Sequence, residues 1–362
     1  MLIGFFFKND FLTLIITSFY SKMILIDALY INNGGGKILL DYLIEEIEKR
    51  QIKVQYLLDD RIKNNIPQIS KLNEITFIGG NFFKRHRFYI QNKNKFSKVF
   101  CFGNLPPTIR LNAQVYTYFQ LLIYLSIRKE FSFIDQVKFR LKRLILKNIA
   151  KNTNYWIVQS NLVKEKLFQK FQFESVNIII LPFYPKFGVI EVPVRAKHTY
   201  FYASNASPHK NHSRLIEVFC QWYDKYKLGK LTLTVNDDYQ SILELIELKQ
   251  KLGYPIKNIG FVGREELHKE YLSSEFLIFP SLTESFGLGL IEAVECGCKV
   301  IGADLPYTYE VCEPSIVFNP EDDESFIQAF ENSLSEDVKI SIPKIKNNIN
   351  ELINILKDII CN

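Results

Sequence analysis

The chain has 362 residues, a mass of 42.4 kDa and 47% hydrophobic residues, which excludes a single ordinary core and gives enough apolar material for two. Its charge is uneven: residues 1–190 hold 28 basic and 13 acidic side chains, net +15, while residues 191–362 hold 17 and 26, net −9. Six scattered cysteines (Cys101, Cys220, Cys296, Cys298, Cys312 and Cys361) lack the paired spacings of a zinc site and read as reduced core residues of a cytoplasmic protein.

The amino terminus, "MLIGFFFKNDFLTLIITSFYSK", is apolar but broken by Lys8, Asn9 and Asp10, and its longer run falls short of the roughly 20 residues a membrane helix needs. From Met23, "MILIDALY" reads as the first strand of a globular domain. Met23 is therefore read as the natural start and residues 1–22 as a leader, with a weak membrane-surface anchor as the alternative.

Short β-branched or aromatic runs then alternate with helical patterns: "MILIDAL", "KVQYLLD", "ITFIG", "KVFCFG", "QVYTYFQ", "YWIVQS" and "NIIILPF". Strands apolar on both faces, separated by helices, predict a parallel sheet covered on both sides. Residues 23–186 form this first Rossmann-like domain. The proline- and glycine-bearing stretch around residues 187–197 reads as a linker.

The alternation restarts with "TYFYAS", "KLTLTV", "IGFVG", "FLIFPS", "KVIGAD" and "SIVFNP", giving a second Rossmann-like domain over residues 198–335. A helical segment over 336–362 closes the chain. Two such domains, each open at the carboxyl ends of its strands, predict a cleft between them.

In the first domain "FFKRHRFYIQNKNKFSK" (82–98) mixes aromatic and basic residues. Ile127, Phe131, Ile134, Lys138, Leu141, Ile145 and Ile149 mark a helical stripe flanked by Arg140, Lys142, Arg143 and Lys147. The stripe is expected to pack on the sheet; lying on a membrane is the alternative. The excess positive charge of this half is either a solvated surface or a face for something anionic.

The stretch "FPSLTESFGLGLIEAVECGCKVIGAD" (279–304) places Glu284 and Glu292 on either side of seven mostly small or apolar residues. A carboxylate beside a buried run is costly without a partner, so these acids are either solvated or held for a ligand. A strand, a turn and a helix stopped by Gly297 put Glu284 near the helix amino terminus and Glu292 one to two turns inside. Gly287 and Gly289 leave the backbone bare, so its amides can approach an anionic or hydroxyl-rich ligand. An ordinary helix cap is the plain alternative for Glu284.

Together with "IGFVGREELHKEYL" before it and "DLPYTYEVC" and "FNP" after it, this stretch resembles the carboxyl-terminal signature of the retaining glycosyltransferases of family 4, which have the GT-B fold. The resemblance spans most of residues 198–330; the first half is similar only in layout. It implies that Glu284 grips the donor sugar, that Glu292 holds the ribose, and that the amides of Phe286, Gly287 and Leu288 meet sugar and phosphate. It also implies that Lys210, in "YFYASNASPHKNHSRLIEVF", pairs with the donor diphosphate without a metal or cofactor. Where relatives carry further arginines this chain has Ser204 and His209. The loop Gly34, Gly35 and Gly36 in "INNGGGKILLDYL" resembles the family's glycine loop, and Gln120 falls where many relatives have a histidine.

"LDD" (58–60) and "NDD" (236–238) read as turns rather than a metal-binding motif. The resemblance implies a cytoplasmic enzyme, at most peripheral to the inner face of the membrane. It would transfer a sugar from a nucleotide sugar to a carbohydrate or lipid-linked acceptor, in the making of polysaccharide, capsule or lipopolysaccharide. A nucleotide-sugar epimerase of the same fold, and a non-enzymatic protein binding nucleic acid or an anionic surface, are the alternatives; no nucleic-acid partner is expected.

Overall fold

The computed structural model describes residues 23–125, 133–171, 177–191 and 194–357, so the reading of residues 1–22 lies outside the described residues. The first sheet takes β1 (Met23–Asp27), β2 (Val54–Asp59), β3 (Glu74–Ile78), β4 (Phe96–Cys101), β5 (Gln114–Tyr118), β6 (Tyr155–Val158) and β7 (Asn177–Ile180) in the order β3-β2-β1-β4-β5-β6-β7. Every neighbouring pair is parallel. Helices α1 (Gly34–Lys49), α2 (Phe82–Gln91), α3 (Phe133–Ile149) and α4 (Asn161–Phe171) lie between the strands in the chain. All six residues of β2 are buried, as a strand covered on both faces requires.

The second sheet takes β8 (Ala196–Tyr202), β9 (Lys230–Leu233), β10 (Ile256–Asn258), β11 (Ser274–Phe279), β12 (Lys299–Ala303) and β14 (Ile316–Phe318) in the order β10-β9-β8-β11-β12-β14, again parallel. Its helices are α5 (His212–Tyr226), α6 (Gln240–Lys251), α7 (Arg264–Ser273), α8 (Leu288–Glu295), α9 (Pro306–Val311) and α10 (Asp323–Asn332). The chain direction across each sheet reverses between β1 and β4 and between β8 and β11. In sheets wound this way ligands bind at the switch point, beside the loops that leave these strands.

The last 22 described residues are less helical than the sequence suggests. Ile342–Pro343 (β15) pairs antiparallel with Cys312–Glu313 (β13), and only Ile349–Lys357 (α11) is helical. Helix α11 returns to the first domain, burying Ile349, Leu352, Ile353 and Leu356, while the Arg50 guanidinium donates to Asn350 at 2.5 Å and Asn348 N–H to the Pro182 carbonyl at 2.9 Å. This crossing ties the two domains together a second time, beside the linker.

Three sequence expectations are corrected. "IGFVG" is a loop, and the strand is the preceding Ile256–Asn258. Gly260 adopts φ +68°, and the Asn258 side chain accepts the Val235 N–H at 2.8 Å, so the extended run stops there; Phe261 is 87% exposed. "LDD" is not purely a turn, because Asp59 ends β2 fully buried and receives two hydrogen bonds at 2.8 Å from the Arg61 guanidinium. The stripe of α3 packs inward only at its end: Ile149 is buried, but Ile134, Leu141 and Ile145 are exposed, and the other buried residue is Leu146, which lies outside the stripe. Leu146 has taken the inner position, and Phe139, half-buried, lies against Tyr124 at 6.0 Å between rings. Ile127 and Phe131 lie outside the described residues.

Candidate active site

The loops after β8 and β11 meet at the second domain's switch point. The β8 loop runs through a single 3-10 turn, Pro208–Lys210, and Asn211, at φ +62°, turns the chain into α5. Leu282 N–H donates to the His209 carbonyl at 2.8 Å, the Tyr202 hydroxyl to the Lys210 carbonyl at 3.0 Å, and the Tyr307 hydroxyl to the Ser281 carbonyl at 2.5 Å. The first bond joins the two loops into one ledge, and the other two tie that ledge to β8 and to α9.

On that ledge the Lys210 ammonium is ion-paired with Glu284, and both side chains are largely buried. Glu284 is not a helix cap: α8 begins four residues later, and its cap is Gly287 in the left-handed region at φ +77°. A side chain at Gly287 would be strained by backbone angle alone and would press Leu290 Cδ1 at 3.0 Å. The amides of Phe286 and Gly287 have no acceptor among the described residues, which leaves two unpaired donors next to a helix amino terminus. Gly289 has a different role from the one its sequence suggests. A Cβ there would lie 3.2 Å from the Tyr271 hydroxyl and 3.4 Å from Phe279, so this glycine lets α8 lie close on β11 and α7.

Glu292, one turn into α8, is 4% exposed. Burial pushes its carboxyl above the usual range, and the Arg264 guanidinium, at 2.7 Å, pulls the other way; the Tyr271 hydroxyl donates to it at 3.5 Å. Arg264 opens α7 directly after Gly263. It also lies over the Phe187 ring at 4.3 Å and donates to the Pro185 carbonyl at 3.3 Å. Phe187 itself stacks flat on His268 at 4.4 Å and meets Tyr271 at 5.9 Å. The linker between the domains is thus held by the same groups that hold Glu292. Arg264, Tyr271 and Phe187 were not singled out from the sequence. The clue available was that a buried glutamate needs a cation, and "GREEL" supplies one in Arg264.

The first domain closes the opposite side. Gly34, Gly35 and Gly36 form the amino terminus of α1, whose cap residue Asn33 makes no side-chain capping bond. A Cβ at Gly35 would lie 4.0 Å from Leu288 Cδ2 across the cleft, and one at Gly36 would lie 3.7 Å from Gln120 Nε2. Leu122 N–H donates to Ser285 Oγ at 2.8 Å, a direct bridge from the end of β5 to the Glu284 loop. The structure therefore brings Glu284, Lys210, Phe286, Gly287, Leu288 and the glycine loop close together, with Glu292 buried one turn further along α8. Ser204, at the end of β8, bonds Thr234 through its own backbone, its N–H donating at 3.0 Å, and presents no cation where relatives carry arginine.

Residues 191–351 match the family of "Glycosyl transferases group 1", so the second domain carries that family's pattern. The described residues have the GT-B fold of two Rossmann-like domains. The chain superposes on sucrose-phosphate synthase from Thermosynechococcus elongatus with a TM-score of 0.65 at 17% identity, covering 87% of this chain and 90% of that one. Anabaena HepE, solved with UDP and glucose, gives 0.62 at 13% identity, covering 93% and 97%.

Among curated proteins, the O-antigen chain mannosyltransferase RfbU of Salmonella typhimurium is 30% identical over 204 residues, 56% of each chain. The tRNA-queuosine alpha-mannosyltransferase of Drosophila melanogaster is 34% identical over 93 residues, 25% of this chain and 24% of that one. The matched region spans about half the length of the first of these relatives and a quarter of the second.

Proposed function

We propose that the protein is a cytoplasmic, retaining, metal-independent glycosyltransferase that moves a hexose, mannose in the first instance, from a nucleoside diphosphate sugar to a saccharide hydroxyl in the assembly of a surface glycan. The observation that carries the reading is the meeting of the Lys210–Glu284 pair and the unpaired amides before α8 beside Gly34–Gly36, with Glu292 buried one turn further along α8. The mannosyl preference is supported by the names of RfbU and of the Escherichia coli mannosyltransferases WbdA, which match 26% over 135 residues.

In this reading Glu292 accepts the two ribose hydroxyls, a vicinal diol that suits one carboxylate, with Arg264 keeping that carboxylate charged. Glu284 accepts from hydroxyls of the donor sugar. Lys210 and the amino terminus of α8 meet the diphosphate, whose charge grows as the bond to the sugar breaks. The bond from the anomeric carbon to the phosphate oxygen breaks, the bond to the acceptor oxygen forms on the same face, and the acceptor's proton passes to the departing phosphate. Because an ammonium and amides meet the leaving group, no divalent cation is assigned a role.

The test is a panel of uridine, guanosine, adenosine and thymidine diphosphate sugars, scored first by thermal stabilisation and then by transfer to a glycan acceptor in a chelator, with the product's anomeric configuration read by NMR. Stabilisation by one nucleotide and a retained configuration are expected. Inversion, a strict requirement for added magnesium or manganese, or release of free nucleotide without an acceptor would each overturn the reading.

A further inference from the structure

Beyond the end of β5 the chain leaves the ladder and runs to the second domain. Phe119 N–H still donates to the Ile157 carbonyl at 2.8 Å, but the next amide, that of Gln120, donates instead to Asn104 Oδ1 at 2.6 Å, and Gln120 Nε2 to the Phe102 carbonyl at 3.4 Å. Two residues on, Leu122 N–H meets Ser285 Oγ at 2.8 Å, and Ser160 Oγ donates to the Ser285 carbonyl at 3.5 Å. The residue between Glu284 and Phe286 is thus held from the first domain by its side chain and its backbone together.

The choice of asparagine at position 104 points to its side chain. Asn104 is 2% exposed and sits at φ +68°, in the left-handed region, where asparagine is among the few side chains tolerated and glycine would cost less. What glycine lacks is the carboxamide oxygen that receives the Gln120 amide once that amide has left the sheet. The loop carrying Asn104 is anchored on both sides. Gly103 passes so close to the loop after β1 that a Cβ would lie 2.3 Å from the Leu29 carbonyl oxygen. On the other side the Arg85 guanidinium of α2, 2% exposed, donates to the carbonyls of Leu105 at 2.7 Å and Pro106 at 2.9 Å, and it is paired at 2.7 Å with the buried Asp27 that ends β1. Desolvation offsets most of the attraction in such a pair, so its contribution is a fixed geometry more than stability.

We propose that Asn104 and Ser285 are positioning residues for the transfer reaction. Asn104 sets the turn from Gln120 to Leu122, the turn grips Ser285, and Ser285 sets the neighbouring carboxylate of Glu284 against the donor sugar. The inference rests on the assignment of Glu284 to that sugar; both residues act through Glu284.

The experiment takes Asn104→Gly, Ser285→Ala and the double variant of the full chain through three measurements: turnover in sugar transfer, nucleoside diphosphate affinity by calorimetry, and hydrogen exchange of the segment 119–125. Each single variant should lose about 10- to 100-fold in turnover, as misplacing a group that meets the substrate does, and keep nucleoside diphosphate affinity within about twofold of the parent. Since both changes break one line of contact, the double variant should be no slower than the poorer single within about threefold, whereas independent losses would multiply. Exchange should quicken about tenfold or more in all three. Parent-like turnover in Ser285→Ala, unchanged exchange, losses that multiply, or nucleotide affinity falling in step with turnover would overturn the positioning role and leave the transferase reading intact. A parent that transfers no sugar at all refutes that reading first, and the positioning role with it. Should Asn104→Gly not fold, Ser285→Ala decides alone, because its half-buried hydroxyl lies outside the Asn104 loop: faster exchange with unchanged turnover overturns the proposal.

Discussion

Replacing each of the paired glutamates by glutamine should produce opposite failures, because their surroundings differ. Glu292 is 4% exposed and bonded to Arg264 at 2.7 Å. Loss of its charge leaves the guanidinium without its counter-ion. For a fully buried pair that costs about 3–5 kcal/mol; with the Arg264 side chain about a third exposed, water recovers much of it and about 1–2 kcal/mol remains. The larger effect is on the ligand: removing a charged acceptor from a desolvated site costs about 1.5–3 kcal/mol, or about 10- to 150-fold in affinity for the nucleoside diphosphate. Glu284 is paired with Lys210, and its neutralisation releases that ammonium to the diphosphate. Glu284→Gln should therefore bind nucleoside diphosphate as well as the parent, or slightly better, while turnover falls about 100-fold or more. Calorimetry with the nucleoside diphosphate and a transfer assay on both variants separate these outcomes. A fully active Glu284→Gln, or a Glu292→Gln with unchanged nucleotide affinity, would refute the assigned roles.

His212 is 2% exposed against Tyr202, and burial, with Lys210 adding to it, pulls its imidazole down to about 3 from an ordinary 6.5. The unfolded chain takes up this proton first, so stability should be complete above about pH 6.5 and fall between about 6.5 and 3, by several kcal/mol at about 1.4 kcal/mol per unit of pKa difference. His212→Gln should flatten that part of a denaturation-versus-pH curve, and an unchanged slope would remove His212 as its source. Phe187→Ala should lower stability by about 2 kcal/mol and also weaken nucleoside diphosphate binding severalfold, because Arg264 loses the ring it lies on. If denaturant melts show the loss and calorimetry shows no change in affinity, the linker contact is structural only.

What the sequence made legible and what it hid follow one physical line. Strands buried on both faces write continuous apolar runs, so β2 and β11 are readable from "VQYLL" and "FLIF" alone. "IGFVG" has the same composition and deceives, because Gly260 in the left-handed region and the bond from Val235 N–H to the Asn258 side chain are set by tertiary context. The spacing of Glu284 and Glu292 is local and therefore visible. Arg264 is 28 residues from its partner, and the strand β11 that brings them together intervenes, so no local pattern reveals the pair. Helix α3 shows a third case. Its periodicity announces an amphipathic helix, but which of its apolar residues turn inward rests on what Tyr124 and the neighbouring strands offer, and Leu146 and Ile149 are the ones buried.

The opposite charges of the two halves acquire a meaning once α3 and the crevice are considered together. A body with net +15 in one half and −9 in the other turns its positive half toward any anionic surface it meets and the other half away. Helix α3 packs through Phe139 on Tyr124, two residues beyond Leu122, whose N–H bridges to Ser285 beside Glu284. Helix α3 and the loop that carries Glu284 are thus joined through one short turn.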